Sequence, residues 1–154
     1  MNPNLNPSVF SHLSPTGDAR MVSVGEKPEQ VRLARAAGRV CCAAATISLL
    51  RAQALPKGDV LTVAKLAGIQ AAKATSALIP LCHPLLLTGI DLDFVVEDRA
   101  ITIGACVRTT GRTGVEMEAL TAVAVAALAI YDMCKAVDRE MSIEGIHVVA
   151  KEKS

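Results

Sequence analysis

The chain has 154 residues, a formal net charge of +1, 51% apolar residues, one Tyr, two Phe and no Trp. That length fits one domain with a substantial core. The near-neutral balance argues against a general polyanion-binding surface, and the scarcity of aromatic rings against a stacking platform for single strands, so no nucleic-acid partner is expected.

Residues 1–20 are rich in Asn, Pro and Ser and lack periodicity, which predicts a flexible N-terminal arm ahead of a single domain over 21–154. From Val31 to Ala45 charged and apolar residues alternate as in a strand, and Ala44 to Ala54 continues as a short helix that Pro56 breaks. Asp59 can cap a helix from Val60 to about Thr75, whose inner stripe would be Val60, Val63, Ala64, Ala67 and Ala71. Ser76 to Pro84 reads as a loop bounded by prolines. Leu86 to Val96 and Ala100 to Thr110 read as two strands joined at Glu97, Asp98 and Arg99, and a long helix follows Gly111 and Gly114. Ser142 to Ala150 supplies the last strand. This order implies an α+β fold in which helices cover one face of a mainly antiparallel sheet.

The long helix is the most informative segment. Its apolar run from Ala119 to Tyr131 is bracketed by Glu116 and Glu118 before it and by Asp132 and Lys135 after it. Acids at the start and a base at the end suit the macrodipole, which is the bland reading of all four. Asp132 and Lys135, however, stand three residues apart beside a core, a setting that perturbs pKa values and favours proton transfer. Glu118 and Asp132 project within roughly 40° of each other but lie about 21 Å apart along the axis. A ligand touching both is long, or each end joins a site completed by another subunit.

The five cysteines, Cys41, Cys42, Cys82, Cys106 and Cys134, form no CxxC pair and follow no leader-like segment, which predicts a reduced, cytoplasmic protein. Cys41 and Cys42 would face opposite sides of a strand, so they read as structural thiols and no metal site is expected. The longest apolar run is short for a bilayer, so no membrane role is expected.

Three further segments can carry chemistry. Pro56 to Val60 (PKGDV) sets Lys57 and Gly58 at a helix start, where a lysine and free backbone N–H groups can hold phosphate, although no Walker motif is present. Lys65 and Lys73 on the helix that follows are by default solvated. Leu78 to Pro84 (LIPLCHP) places Cys82 and His83 between two prolines; adjacent residues rarely converge on one atom, so His83 reads as a hydrogen-bond donor or proton carrier rather than as the base of a Cys82 nucleophile. His12 and His147 have no such setting. Gly111 to Glu118 (GRTGVEME) turns into the long helix, where the carboxylates suit the amino edge of a guanine-like ring better than a phosphate.

Taken together, KGDV, AGIQAAK, LIPLCHPL, TGVEMEALTAVAVAAL and IYDMCKAV resemble the cyclic pyranopterin monophosphate synthase family of molybdenum cofactor biosynthesis over about Met21 to Lys151. The resemblance implies a ferredoxin-like α+β fold and a homo-oligomer, a hexamer built from dimers, with active sites at subunit interfaces. It implies a lyase that converts the cyclised guanosine triphosphate (8S)-3',8-cyclo-7,8-dihydroguanosine 5'-triphosphate to cyclic pyranopterin monophosphate and diphosphate. No cofactor is implied, and a divalent cation such as Mg could accompany the phosphates. By the same resemblance the catalytic residues fall on Asp132, Lys135 and Lys57, and substrate contacts on Leu81, Cys82, His83, Met117 and Glu118, with Lys73 and Arg32 as phosphate contacts.

The chain departs from the family pattern at Ser23, where an acid is usual, at Ala74, where an arginine is usual, and in a lysine-bearing tail shortened at Lys153 and Ser154. These departures leave an alternative, a weakly active or silent paralogue that binds nucleotide or supports assembly.

Overall fold

A computed structural model describes residues 13–14 and 16–154. Eight elements follow in chain order: β1 (Gln30–Cys41), α1 (Ala44–Arg51), α2 (Val60–Lys73), α3 (Thr75–Leu78), β2 (Leu87–Val96), β3 (Ala100–Gly111), α4 (Glu116–Cys134) and β4 (Ser142–Lys153). The strands form one sheet in the order β2-β3-β1-β4, and every neighbouring pair is antiparallel. This is the ferredoxin-like α+β arrangement, and α2 and α4 pack together over one face of the sheet.

The core lies between that face and the helices. Val40 of β1, Leu92 of β2 and Ile101, Ile103 and Val107 of β3 meet Ala119, Ala122, Val123, Ala126 and Ile130 of α4, all at most 1% exposed. Small residues set the close approaches. A Cβ on Gly38 of β1 would stand 2.7 Å from Val123 and 2.9 Å from Ile146, and one on Gly68 of α2 would stand 2.8 Å from the Ala122 carbonyl oxygen.

Several boundaries differ from those the sequence predicts. β1 ends at Cys41 rather than Ala45, because Ala43 already belongs to the start of α1 and its N–H donates to the distant carboxylate of Asp138 at 2.8 Å. On α2 the buried stripe is Val60, Ala64, Gly68, Ala71 and Ala72, while Val63 is 42% exposed. A glycine carries no apolar signal, so periodicity alone places the stripe along the wrong edge. The expected loop begins with the helical turn α3, whose Thr75 hydroxyl donates to the carbonyls of Ala71 and Ala72. β4 runs to Lys153 rather than Ala150, since Lys151, Glu152 and Lys153 pair with Ala34, Leu33 and Arg32.

α4 also corrects an expectation: by length and composition its 19 residues are long and apolar enough to cross a membrane. Here that composition serves the core, and Ala119, Ala122, Val123, Ala126, Ala127 and Ile130 are fully buried. The arm expected over 1–20 lies mostly outside the described residues, as does His12; in its described part Leu13 and Ala19 form an isolated bridge.

α1 closes with a Schellman motif: the Ala54 N–H donates to the Leu49 carbonyl at 2.9 Å and the Gln53 N–H to the Leu50 carbonyl at 3.1 Å. This places Gln53 at φ 52°, the left-handed position that glycine adopts without strain. Gln53→Gly is therefore expected to stabilise the chain by about 0.5 kcal/mol, the relief of left-handed strain less the added unfolded-state entropy. A slightly higher Tm in thermal unfolding would bear this out, and a lower Tm would show that the Gln53 side chain contributes more than its backbone costs.

Candidate active site

Each end of α4 carries a polar cluster. At its C-terminal end Asp132, 54% exposed at the side chain, bridges two lysines: Lys57 Nζ donates to Oδ2 at 2.6 Å and to the Asp132 carbonyl at 3.0 Å, and Lys135 Nζ contacts Oδ1 at 2.6 Å. The Asp132–Lys135 pair is local, three residues along one helical end. Lys57 arrives from the turn before α2, where Gly58 takes φ 86° and Asp59 caps the helix through the Thr62 N–H at 3.1 Å and the Thr62 hydroxyl at 2.6 Å. Hydrogen bonds from Lys135 and then Lys57 pull the Asp132 carboxyl down to about 2, and the pairing raises Lys135 above its ordinary value. A carboxyl depressed in the folded state adds stability above its unfolded value, and that contribution is lost as pH falls toward about 2, so the cluster stays ionised from mildly acid to neutral pH.

At the N-terminal end, Leu81, Cys82, His83, Met117 and Glu118 line one cleft of about 290 Å³ together with Val22, Lys27 and Glu116. The first turn of α4 has no side-chain cap, so its N–H groups face this end. His83 Nε2 donates to the Val22 carbonyl at 2.8 Å, which leaves Nδ1 as the ring atom able to serve a ligand. Burial, then the charge of Glu118, push the Cys82 thiol up, so it stays protonated and is a poor nucleophile.

Glu118 itself is 4% exposed. Burial pushes its carboxyl up, a backbone hydrogen bond opposes this, and Glu116 adds to it. A carboxyl raised in the folded state supports folding fully below its unfolded value and withdraws that support as pH rises through the folded one. Glu118→Gln is therefore expected to have a higher Tm than the parent at mildly alkaline pH, with the gap closing below the ordinary carboxylate range. A pH-independent gap in calorimetry would count against this account.

Arg32 lines an adjoining cleft of about 280 Å³ that shares Gly114 and Glu116 with the first and adds Lys151 and Lys153. Its guanidinium donates to the Gly111 carbonyl at 3.0 Å and to Gln30 at 3.1 Å. Lys73, exposed in the last turn of α2, lies toward the same end of α4, because α2 runs antiparallel to α4: Lys57 stands beside Asp132 and Gly68 beside Ala122. Glu116, which the sequence offers only as a carboxylate suited to a ring's amino edge, lines both clefts, whereas Lys27, Lys151 and Lys153 are not among the expected site residues. The alternation Lys-Glu-Lys at 151–153 is itself a strand signal that sets both lysines on one face, and Lys151 approaches Glu116 at 3.6 Å. Among the described residues no group of three or more His, Cys, Asp or Glu is arranged to hold a metal ion.

The structure thus gathers the expected residues into two groups, and α4 keeps them about 21 Å apart within one chain. The lining of the clefts at its start contains none of Lys57, Asp132 and Lys135.

Residues 21–154 match the profile of the MoaC family. The chain belongs to that family. Among its relatives, the cyclic pyranopterin monophosphate synthase of Pelotomaculum thermopropionicum is 58% identical over 146 residues, 94% of this chain and 86% of the relative. The protein of that name from Streptomyces griseus is 54% identical over 142 residues, 92% of this chain and 80% of the relative. A molybdenum cofactor biosynthesis bifunctional protein of Chlorobaculum tepidum is 57% identical over 139 residues, 90% of this chain and 45% of the relative.

Proposed function

We propose that this chain is a cyclic pyranopterin monophosphate synthase, a lyase that converts (8S)-3',8-cyclo-7,8-dihydroguanosine 5'-triphosphate to cyclic pyranopterin monophosphate and diphosphate in molybdenum cofactor biosynthesis. The observation that carries the reading is the bridge of Asp132 to both Lys57 and Lys135, made in a chain whose relatives bear that name. The synthase domain is taken as 21–154.

A group held at about 2 is too acidic to take a proton at neutral pH, so in the unliganded chain Asp132 anchors two charged ammonium groups. In this reading Lys135 and Lys57 transfer protons as the purine ring opens and the pterin closes, and Lys57 also neutralises charge as diphosphate leaves. As the triphosphate draws the lysines away, Asp132 loses its partners and its carboxyl rises toward the range in which it can exchange a proton. At the other end of α4, Glu118 and Glu116 suit the amino edge of the heterocycle, and Arg32 and Lys73 suit phosphate. No protein-held cofactor belongs to the proposal; a divalent cation such as Mg would enter on the triphosphate.

The separation of the two ends supports a homo-oligomer, a hexamer built from dimers, in which the clefts of one copy and the Lys57–Asp132–Lys135 cluster of another close on one elongated substrate. Five free cysteines suit a reducing cytoplasm.

Single-turnover incubation of the cyclised triphosphate with excess protein tests the reading. Pyranopterin product and diphosphate are expected to appear together. Tight binding of the triphosphate without either product would overturn the synthase and favour the silent nucleotide-binding alternative.

A further inference from the structure

Of the two lysines that meet at Asp132, Lys135 is its neighbour three residues on, whereas Lys57 lies 75 residues before it in sequence, and one buried carboxylate outside the cluster connects the two segments. Asp138, 7% exposed, follows Lys135 in the turn that ends α4. That turn is closed by the Val137 N–H at 2.9 Å and the Asp138 N–H at 3.1 Å, both donating to the carbonyl of Cys134, itself 1% exposed. Lys135 thus stands between a core residue and a buried carboxylate, with little freedom in its backbone.

The Asp138 carboxylate reaches across to α1. Its Oδ2 accepts the Ala43 N–H at 2.8 Å and the Thr46 hydroxyl at 2.9 Å, and its Oδ1 accepts the Glu140 N–H at 3.1 Å. Ala43 is the N-cap of α1 and has no side chain able to cap, and a carboxylate from the far end of the chain accepts its backbone N–H, as the acid of a capping box does. These donors, the Ala43 N–H foremost, hold the Asp138 carboxyl below its ordinary value, so it is charged at neutral pH. α1 then runs to the Schellman turn at Gln53, to Leu55, 6% exposed, and so to Lys57. The start of α1 is tied to the Lys135 turn, and its end delivers Lys57.

The geometry points to Asp138 as a positioning residue that fixes the Lys135 turn and the α1–Lys57 segment relative to each other, so that both ammonium groups reach Asp132. This rests on the synthase reading for its kinetic consequence but not for its structural one. A misplacement of a catalytic group by about 1 Å costs up to about a hundredfold in rate, so Asp138→Asn, which keeps the shape but replaces an acceptor oxygen by a donor, is expected to lower kcat about ten- to a hundredfold with KM little changed.

The test has an arm that needs no turnover. Competitive acetylation followed by mass spectrometry reads the reactivity of Lys135 against exposed Lys65. With the Asp132 contact loosened, the Lys135 pKa is expected to fall back toward its ordinary value and Lys135 to label about threefold faster in Asp138→Asn than in the parent. A folded variant with a lower Tm but unchanged Lys135 labelling and unchanged kcat would make Asp138 a helix cap only and overturn the proposal. Should Asp138→Asn fail to fold, Thr46→Val, which removes one of the three donors, decides in its place: faster labelling supports the positioning role and unchanged labelling overturns it. Parent protein without turnover, together with faster labelling in the variant, would sink the synthase reading and leave the positioning role standing.

Discussion

Asp132→Asn is expected to lower kcat on the order of 10² to 10⁴-fold, the range over which positioned acid–base groups act. The substitution keeps the size of the side chain and removes the charge that both Lys57 and Lys135 approach at 2.6 Å. Lys135 then returns toward its ordinary pKa, and a single amide oxygen is left for the two ammonium groups, while the backbone carbonyl at 3.0 Å still accepts from Lys57. Stability should change little, because the three side chains are 42% to 54% exposed and solvent screens such pairs. Steady-state kinetics beside thermal unfolding makes the check, and a variant retaining more than about a tenth of the parent kcat would remove Asp132 from the chemistry. Lys57→Ala should fall in the same range. Its combination with Asp132→Asn should cost much less than the product of the two, since groups acting as a unit are not additive.

Gly68→Val is expected to damage the fold severely. Gly68 sits where α2 crosses α4: a Cβ there would collide with Leu92 Cδ2, approach the Ala122 carbonyl oxygen at 2.8 Å and the Ala126 Cβ at 3.3 Å. The leucine tip can turn aside, but the carbonyl belongs to the α4 backbone and cannot. Forcing two packed helices apart costs about 3 kcal/mol, which lowers Tm by roughly 6 to 12 °C in a chain of this size. Gly68→Ala should also destabilise, by less, because alanine recovers about 1 kcal/mol of helix propensity. An alanine variant at least as stable as the parent would mean that α2 and α4 approach less closely than the structure has them. Since α2 begins just after Lys57 and Asp132 lies in the last turn of α4, the same substitution should loosen the Lys57–Asp132 contact and lower activity as well.

Much of this was legible along the chain. Alternation and helical periodicity locate β1, β2, β3, β4, α2 and α4 to within a few residues, because burial of one face imposes a period on each element. Asp59 announces its helix, since the cap bond to Thr62 closes within one turn. The Asp132–Lys135 pair and the Cys82–His83 loop could likewise be picked out, as the members of each are near in sequence, but the Val22 carbonyl that holds His83 lies 61 residues away. What local reading missed has a common cause. The inner stripe of α2 runs through a glycine, which carries no apolar signal, and the end of β4 is charged because it lies at an edge with solvent on one side. Family resemblance supplied Lys57, which composition and spacing left as one weak phosphate signal among several.

The sequence by itself determined the α+β order of elements, the charged ends of the apolar helix and the membership of the chain in its family, all of which are written in short-range pattern or in ordered motifs. Only the tertiary structure decided that Lys57 meets Asp132, that Asp138 caps a helix 95 residues away from it in sequence, and that Arg32, Lys151 and Glu116 border one cleft. Those contacts depend on how helices and strands pack, and a side chain's local neighbours carry no record of the distant segment that packing will bring against it.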